Sequence, residues 1–414
     1  MNDINQTDHQ SLLSVTQFPL LSFFTGAGLL DIGFVDAGFR VVWHNECETA
    51  FADGFEFAMN SLYGSSKPVE TTQVQNRMPL QHVKMKTIEI EAFGESTKPV
   101  NFGIIGSPPC PDFSTAGRHK GKNGPNGFLT GTYVNHILSL QPTFFVLENV
   151  PGLLRTAKHK AYLEELLQLL EHDFALDATI LNALDFGVPQ DRYRVIVLGF
   201  RRDWLETIYG LRVPLRGDKW AAVLDRVKLK LFRGPRQIAI SENDHWFPWP
   251  HGRYAGAKWD YNWPKTSPLG GDPKKPASIP EVLMVGAHIG EPSELTTLPN
   301  GCDSFKPYSS KFDIVDEGDV SGKSFKRLHR WRYSPTAAYG NREVHLHPFQ
   351  RRRLTVREAM RIQSVPDTYA LPPMMTLSDK FRTISNGVPV KLANALAERI
   401  AGFVSGYWSP VTNQ

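Results

Sequence analysis

Cys110 stands in a rigid stretch, G-S-P-P-C-P-D-F-S-T-A-G, although the chain of 414 residues has only three cysteines. Two prolines precede it and one follows it, and the apolar segment Phe102–Ile105 ends just upstream of them. Prolines stiffen a turn, and a turn at the end of a strand presents its side chains to a cleft. A nucleophilic thiol needs positive neighbours, which the stretch R-H-K-G-K at 118–122 offers. The alternatives are a reactive thiol and a small buried hydrophobic residue.

Three further charged residues flank apolar segments. Glu148 closes F-F-V-L-E-N-V, where a carboxylate must be paired, exposed or catalytic. Arg192 and Arg194, in Q-D-R-Y-R, lie two apart at the start of an apolar segment, so a strand would place both on one face. Two guanidiniums on one face predict a bound anion or a carboxylate partner such as Glu148. A structural ion pair or an ordinary surface pair remains the alternative.

A glycine turn, T-G-A-G at 25–28, follows the apolar segment 18–24 and precedes a helical pattern. Glycines in this position let a ligand approach the backbone closely. Glu46 ends the next apolar segment, 20 residues after Gly26, and could accept hydrogen bonds from ribose hydroxyls. The glycine pattern is not the full dinucleotide signature, which favours an adenosine ligand without a pyrophosphate. A simple tight turn is the alternative.

The order of the apolar segments predicts how these residues are positioned. Strands are expected at 18–24, 39–43, 102–105, 144–147 and 194–200, and helices at 29–37, 162–170, from Thr355 onward, and at 390–404. Thr355 and Glu358 have the spacing of a capping box. This alternation predicts an α/β fold with a doubly wound, mainly parallel sheet. Ligands bind such sheets at the carboxyl ends of the strands, where Gly26, Glu46, Cys110 and Glu148 are expected.

Residues 233–310 differ in character, because they are rich in Pro, Gly and aromatic residues and show no regular period. They predict a second, smaller and irregular domain. The expected organisation is a flexible tail at 1–17, a catalytic domain at 18–205 that is completed by 385–414, and a second domain at 206–384.

Composition and charge narrow the class of protein. Hydrophobic residues make up 41% and charged residues 21%, as in globular proteins, and no apolar run is long enough to span a membrane. The polar N-terminus does not resemble a signal peptide, and no Cys-x-x-Cys pair predicts a disulfide framework or a thiolate zinc site, which favours the cytoplasm. Residues 1–200 carry about −7 and residues 201–414 about +11, which together return the net +4. This asymmetry predicts a polyanionic partner such as nucleic acid, or else a surface that is merely basic.

Six motifs, in their order along the chain, resemble those of the DNA cytosine carbon-5 methyltransferases, the bacterial restriction-modification enzymes in particular. F-T-G-A-G-L-L-D-I-G-F resembles the motif that binds S-adenosylmethionine, and S-N-G-V-P-V-K-L-A-N-A-L resembles the tenth motif beside it. The Pro-Cys, Glu-Asn-Val and Gln-Asp-Arg-Tyr-Arg motifs resemble those that hold and attack the target base. R-R-L-T-V-R-E-A-M-R-I-Q-S-V-P-D, 352–367, resembles the DNA-facing ninth motif. The resemblance implies the following cofactor-binding residues: Phe24, Thr25, Gly26, Gly28, Leu29, Glu46, Cys47, Pro109, Asn386 and Gly387.

The chain also departs from the pattern of this family. Leu29, Pro111 and Ser385 stand where the family usually has Gly, Gln and Gly. No residue matches the acidic side chain that contacts the adenine amine, which is expected within 80–100. These departures put the adenine contacts in question rather than the reaction class.

The resemblance implies a mechanism on a flipped-out cytosine of double-stranded DNA. Cys110 would add to carbon 6 and activate carbon 5, while Glu148, protonated or sharing a proton with ring nitrogen 3, would stabilise the developing charge. Arg194 would hold the carbonyl oxygen of the base or orient Glu148, with Arg192 as the weaker candidate. An unidentified base or water would remove the carbon 5 proton, and no metal is needed. The enzyme is expected to act as a monomer and to protect host DNA from a cognate restriction endonuclease.

Two alternatives come from other functional classes. A transfer-RNA cytosine-5 methyltransferase belongs to a branch of the same family that has a shorter second domain. A catalytically silent DNA-binding protein could share the scaffold, although intact Cys110 and Glu148 argue against it.

Overall fold

The computed structural model describes residues 14–15, 18–64, 74–94, 98–109, 125–232, 245–339 and 344–406. Its centre is a seven-stranded sheet with the strand order β3-β2-β1-β4-β5-β7-β6. The strands of this sheet are Pro19–Phe23 (β1), Arg40–Asn45 (β2), Val74–Asn76 (β3), Gly103–Gly106 (β4), Phe144–Asn149 (β5), Phe174–Asn182 (β6) and Tyr193–Arg201 (β7).

The sheet is mainly parallel. Strands β1 to β5 pair in parallel, and only β7 runs antiparallel to its neighbours β5 and β6. The carboxyl ends of six strands therefore meet the amino end of β7 at one edge of the sheet. The predicted α/β class and mainly parallel sheet are confirmed.

Helices pack on both faces of the sheet and continue through the second half of the chain. They are Leu29–Asp36 (α1), Thr49–Tyr63 (α2), Met85–Phe93 (α3), Pro125–Leu140 (α4), Gly152–Arg155 (α5), Ala157–Leu170 (α6), Arg202–Tyr209 (α7), Trp220–Leu229 (α8), Ala257–Asp260 (α9), Pro292–Leu295 (α10), Lys311–Ile314 (α11), Val356–Ile362 (α12), Leu377–Asn386 (α13) and Val390–Val404 (α14). A two-stranded pair, Lys326–Arg327 (β8) and His345–Leu346 (β9), lies apart from the main sheet. Within the described residues, no helix is long and apolar enough to cross a membrane.

Several helices begin at or near the residues that the local sequence pattern predicts. The helix predicted at 390–404 is α14, and the capping box is present, because the Thr355 side chain accepts from Glu358 N while Glu358 accepts from Thr355 N. The helix predicted at 162–170 begins earlier, at Ala157, because the Thr156 hydroxyl accepts from His159 N and caps it.

Strand β6 had no prediction, although all nine of its residues are buried. Polar residues interrupt its apolar pattern, and chief among them is Asp177. The Asp177 carboxylate accepts hydrogen bonds from Trp246 N and Phe247 N, each at 3.0 Å, and from His245 Nδ1 at 2.7 Å. A buried carboxylate is tolerated when donors surround it, and these donors come from a segment about 70 residues away. The strand therefore depends on tertiary contacts that the local sequence pattern does not reveal.

The described part of the stretch predicted to be irregular, residues 245–310, contains only short helices. In the residues that follow it, a buried arginine supplies hydrogen bonds to the backbone in place of strand pairing. Arg327 is fully buried and donates to the carbonyls of Val315 and Phe312, each at 2.6 Å. It also donates to the carbonyls of His347 at 2.6 Å and Gln350 at 2.8 Å. Carbonyls without ladder partners need other donors when buried, and a guanidinium carries five. One side chain thus fastens two separate stretches, 312–315 and 347–350, to its own strand β8.

One hydrophobic cluster joins the first part of the chain to the second. It contains Leu29 and Ile32 of α1 and Phe55 of α2, together with Leu354 and Phe381 from the later elements. Residues on either side of position 205 therefore share a core. The predicted domain boundaries remain predictions.

Candidate active site

The glycine turn after β1 is a compact bend that is held against β2. Thr25 N donates to Asn45 O at 3.2 Å, and Gly28 N donates to Thr25 O at 2.9 Å. Gly26 and Gly28 have φ values of 56° and 80°, in the left-handed region that glycine adopts without strain. A Cβ on Gly28 would lie 2.8 Å from two ring atoms of the buried Phe55, as well as against the flexible end of Met59. Conformation and space both require glycine at position 28.

Glu46 places its carboxylate directly under this turn. One carboxylate oxygen accepts from Gly26 N at 3.0 Å and the other from Glu48 N at 2.8 Å. Burial raises the pKa of Glu46, and the two backbone hydrogen bonds oppose that effect. Each carboxylate oxygen has more than one lone pair, so Glu46 can still accept hydrogen bonds from a diol such as that of ribose. The neighbouring Cys47 is exposed.

The third strand ends in an amide rather than an acidic residue. Strand β3 is only three residues long and ends at Asn76, before the window 80–100 that was expected to hold such a residue. Asn76 O accepts from Glu46 N at 3.1 Å, so the end of β3 adjoins Glu46. Glu91, which does fall within the window, accepts from Trp43 Nε1 at 2.7 Å and from Asn76 Nδ2 at 2.9 Å. The strand-end position beside Glu46 is thus an amide, which sequence reasoning missed because so short a strand has no readable period.

A buried ion pair lies at the end of β5. Arg194 Nε is 2.6 Å from Glu148 Oε1, and each side chain is only 6% exposed. Arg194 also donates to Tyr193 O at 2.8 Å. The antiparallel register of β5 and β7 brings the two residues together, because Glu148 pairs with Ile196, two residues beyond Arg194. The pair can present one carboxylate oxygen and one guanidinium to a ligand at this edge.

Arg192 has different partners from Arg194. Its guanidinium, 1% exposed, donates to Ala337 O at 3.2 Å, to Ser385 O at 2.5 Å and to Gly387 O at 2.9 Å. Burial and the nearby Arg194 charge lower the pKa of Arg192, whereas the Glu148 charge raises it. The sequence placed both arginines on one face, but the structure ties Arg192 to the backbone of two later segments.

The loop after β4 begins beside the ion pair. Ser107 N donates to Phe23 O at 3.4 Å, and the amide of Asn149, next to Glu148, reaches Pro108 O at 3.5 Å. Pro109 is half-buried at the end of the described part of this loop. Cys110, Pro111 and the basic stretch at 118–122 lie outside the described residues.

The segment that resembles the tenth motif packs against the glycine turn. Gly387 follows α13, and a Cβ at this position would lie 2.5 Å from Leu29 Cδ2. Asn386 is the exposed last residue of α13. The helix α14 then packs along α1, with Ala393 2.6 Å from the place where a Cβ on Gly33 would lie. The absence of side chains at positions 33 and 387 is what permits this close approach.

The structure therefore gathers most of the predicted residues at one edge of the sheet. Phe24, Thr25, Gly26, Gly28, Leu29 and Glu46 line the ends of β1 and β2, and Glu148 and Arg194 lie at β5 and β7. Between these two groups, strand β4 leads into the loop that carries Pro109.

Comparison with known proteins identifies the family. The sequence model for C-5 cytosine-specific DNA methylases matches residues 18–216 and 277–402. The chain is 36% identical over 392 residues to the Type II methyltransferase M.NmeDI of Neisseria meningitidis serogroup C, covering 94% of this chain and 84% of that protein. It is 27% identical to the Type II methyltransferase M.FnuDI of Fusobacterium nucleatum, covering 92% of this chain and 93% of that protein.

The fold is also found in solved structures. A prophage-encoded E. coli protein described as a DNA modification methyltransferase superposes with a TM-score of 0.57 at 19% identity, covering 92% of this chain and 98% of its own. At this identity the likeness supports the fold alone. Between its two matched segments, the family model leaves residues 217–276 unmatched.

Proposed function

The chain belongs to the C-5 cytosine-specific DNA methylases and is a sequence-specific DNA (cytosine-5-)-methyltransferase, and we propose that S-adenosylmethionine is its methyl donor and Cys110 its nucleophile. The observation that carries the proposal is the buried Glu148–Arg194 pair at the end of β5, next to the loop that leads to Cys110. A carboxylate and a guanidinium side by side match the ring nitrogen and the carbonyl oxygen on one edge of cytosine.

The first site fits the donor. Glu46 would accept hydrogen bonds from the ribose hydroxyls, while the turn 24–29 would adjoin the methionine part, with Asn386 and Gly387 behind it. Cys47 and Pro109 would complete the walls, and the short segment from Asn76 to Met78 would adjoin the adenine. When bound, S-adenosylmethionine supplies an electrophilic methyl group.

The second site activates the base. The Cys110 thiolate forms a bond to carbon 6 of the flipped-out cytosine, and negative charge develops on the ring. A proton that Glu148 shares with ring nitrogen 3 neutralises this charge. Arg194 fixes the carboxylate of Glu148 and can donate to the carbonyl oxygen of the base. After methylation, loss of the carbon 5 proton expels the thiolate and restores the ring.

Arg192 supports this site without contacting the base. Because its guanidinium binds the carbonyls of Ser385 and Gly387, it holds the tenth motif rather than the base.

Recognition of the DNA sequence is expected in the second half of the chain. Its excess of positive charge would contact phosphates, and loops that include the unmatched stretch 217–276 would contact base edges. One asymmetric chain suffices to flip one base, so a monomer is expected. A cognate endonuclease would cut the same sequence when unmethylated, and methylation by this enzyme would block it.

The test uses duplex DNA of mixed sequence that contains 5-fluorocytosine, with S-adenosylmethionine. Fluorine cannot leave as a proton does, so the enzyme should remain covalently attached and shift on a denaturing gel. The shift should vanish for Cys110→Ser, and sequencing the trapped DNA should give the recognition site. Trapping on transfer RNA but not on DNA would support the RNA alternative. Absence of trapping on both would contradict the proposed mechanism, and an unchanged activity of Cys110→Ser would remove Cys110 as the nucleophile.

A further inference from the structure

A buried tyrosine from the second half of the chain reaches into the glycine turn. The hydroxyl of Tyr369 donates to the carbonyl of Ala27 at 2.9 Å, across 342 positions of sequence. Tyr369 is fully buried, and Ala27 is 2% exposed. Ala27 lies between the two glycines with positive φ, at the centre of the turn. This hydrogen bond therefore fixes the part of the turn that is intrinsically most free to move.

Two other hydrogen bonds of the turn lead to β2 and to the residue that follows it. Thr25 N donates to Asn45 O, and Gly26 N donates to the carboxylate of Glu46. Tyr369 approaches from the cluster that α1 and α2 form with the later helices. The turn is thus held from two sides, by the sheet and by the second half of the chain.

Tyr369 is itself held by the segment that resembles the ninth motif. Arg357 of α12 is fully buried and donates to the carbonyl of Tyr369, to that of Pro366 at 3.0 Å and to that of Pro299 at 2.9 Å. Tyr369 N also donates to Pro366 O at 3.1 Å. The position of α12 therefore determines where the hydroxyl lies. Burial raises the pKa of Tyr369, so the hydroxyl remains a donor under assay conditions.

We propose that Tyr369 is a positioning residue for the methyl donor: it does not touch the donor, but it holds the Ala27 carbonyl and with it the turn in the conformation that binds. The inference rests on the proposed function, in which this turn binds S-adenosylmethionine. It assigns to the ninth-motif segment a second role besides any contact with DNA, because α12 acts on donor affinity through Arg357 and Tyr369.

The chain offers a matched control. Tyr133 is also fully buried, and its hydroxyl donates to a backbone carbonyl, that of Val146 in the middle of β5, at 2.7 Å. Tyr369→Phe and Tyr133→Phe each remove one hydroxyl and keep the ring in place. They should therefore lower the melting temperature by similar amounts. Only the first change removes a hydrogen bond to the glycine turn, because the Tyr133 ring, which contacts Phe24, stays in place in Tyr133→Phe.

The experiment measures binding of S-adenosylhomocysteine by calorimetry without DNA, well below the lower melting temperature, and then steady-state kinetics with DNA. We expect Tyr369→Phe to bind about three- to tenfold more weakly, as the loss of one buried hydrogen bond predicts. Tyr133→Phe should stay within about twofold of wild type. The KM for S-adenosylmethionine should rise in Tyr369→Phe with kcat nearly unchanged, because a ground-state binding contribution is lost.

Two results would overturn the inference in distinguishable ways. If wild type binds S-adenosylhomocysteine and both variants bind it as tightly as wild type does, Tyr369 has no positioning role and the proposed function stands. If wild type itself does not bind, the proposed donor site fails and the inference falls with it.

Discussion

The Glu148–Arg194 pair makes an asymmetric prediction about stability. Glu148→Gln keeps the shape of the side chain but leaves the Arg194 guanidinium buried without its carboxylate, with the Arg192 charge nearby. Arg194→Gln leaves Glu148 with Arg192 still in its electrostatic neighbourhood. The first change isolates two positive charges from their common anion, whereas the second removes one of two cations.

The magnitude follows from the burial of the pair. Each partner is only 6% exposed, and breaking a buried ion pair from one side costs about 3–5 kcal/mol in the free energy of unfolding. We expect Glu148→Gln near the upper end of this range and Arg194→Gln near or below the lower end. The double variant should be more stable than the sum of the two effects predicts, by about 2 kcal/mol, because neither unmatched charge is created alone.

Urea unfolding at pH 7, followed by tryptophan fluorescence and by circular dichroism, measures these differences. Coincident transitions from the two probes would justify a common free energy of unfolding. Methyl transfer should be lost in both single variants irrespective of their stability, which separates the catalytic effect from the structural one.

The reasoning would be refuted if Glu148→Gln were as stable as wild type, because the resting pair would then not be an ion pair. Strict additivity in the double variant would also contradict it, since coupled charges cannot contribute independently.

Three further predictions concern other parts of the chain. Gly28→Ala should abolish donor binding and should lower the melting temperature more than Gly64→Ala does. Both glycines have positive φ, but only at position 28 would a Cβ lie 2.8 Å from the buried ring of Phe55, whereas nothing lies near a Cβ at position 64. Thr355→Ala should cost about 1 kcal/mol in urea unfolding by removing the capping box of α12, and Thr355→Ser should restore most of it. Burial raises the pKa of Asp31 to about 7, above its unfolded value. The free energy of unfolding of wild type should therefore fall as pH rises from about 4 through 7, by up to about 1.4 kcal/mol per pH unit. Asp31→Asn should show a shallower loss when melting is measured across that range.

Much of the site could be predicted because its signals are local. The glycine turn, Glu46 and Glu148 all follow short apolar segments, and a parallel sheet brings the ends of such segments to one edge. The capping box and helix α14 were readable for the same reason, since each depends on residues within a few turns. The family resemblance and the reaction class came from the order of the motifs, and the family match confirms both.

Other features left no local signal. The end of β3 at Asn76 was missed because three residues show no period, and β6 was missed because its buried Asp177 has its donors about 70 residues away. The irregular second half gave no indication that Arg327 would fasten residues 312–315 and 347–350 to its own strand. Asp177 and Arg327 share one cause: their partners include backbone N–H groups or carbonyls, which nearly every residue carries, so these partners leave no trace in the residue types.

Arg192 and Arg194 show which features the sequence determines and which depend on the tertiary structure. The sequence by itself determined which thiol, carboxylate and guanidinium groups are available, and that Glu46 and Glu148 reach one edge of a sheet, while the place of Cys110 beside them stays a prediction. Only the tertiary structure decided that Arg194 pairs with Glu148 while Arg192 holds the carbonyls of Ser385 and Gly387, and that Tyr369 reaches the turn at Ala27. The types and spacing of residues fix local geometry, but partners hundreds of positions apart are selected by how the helices pack, and packing depends on the whole core.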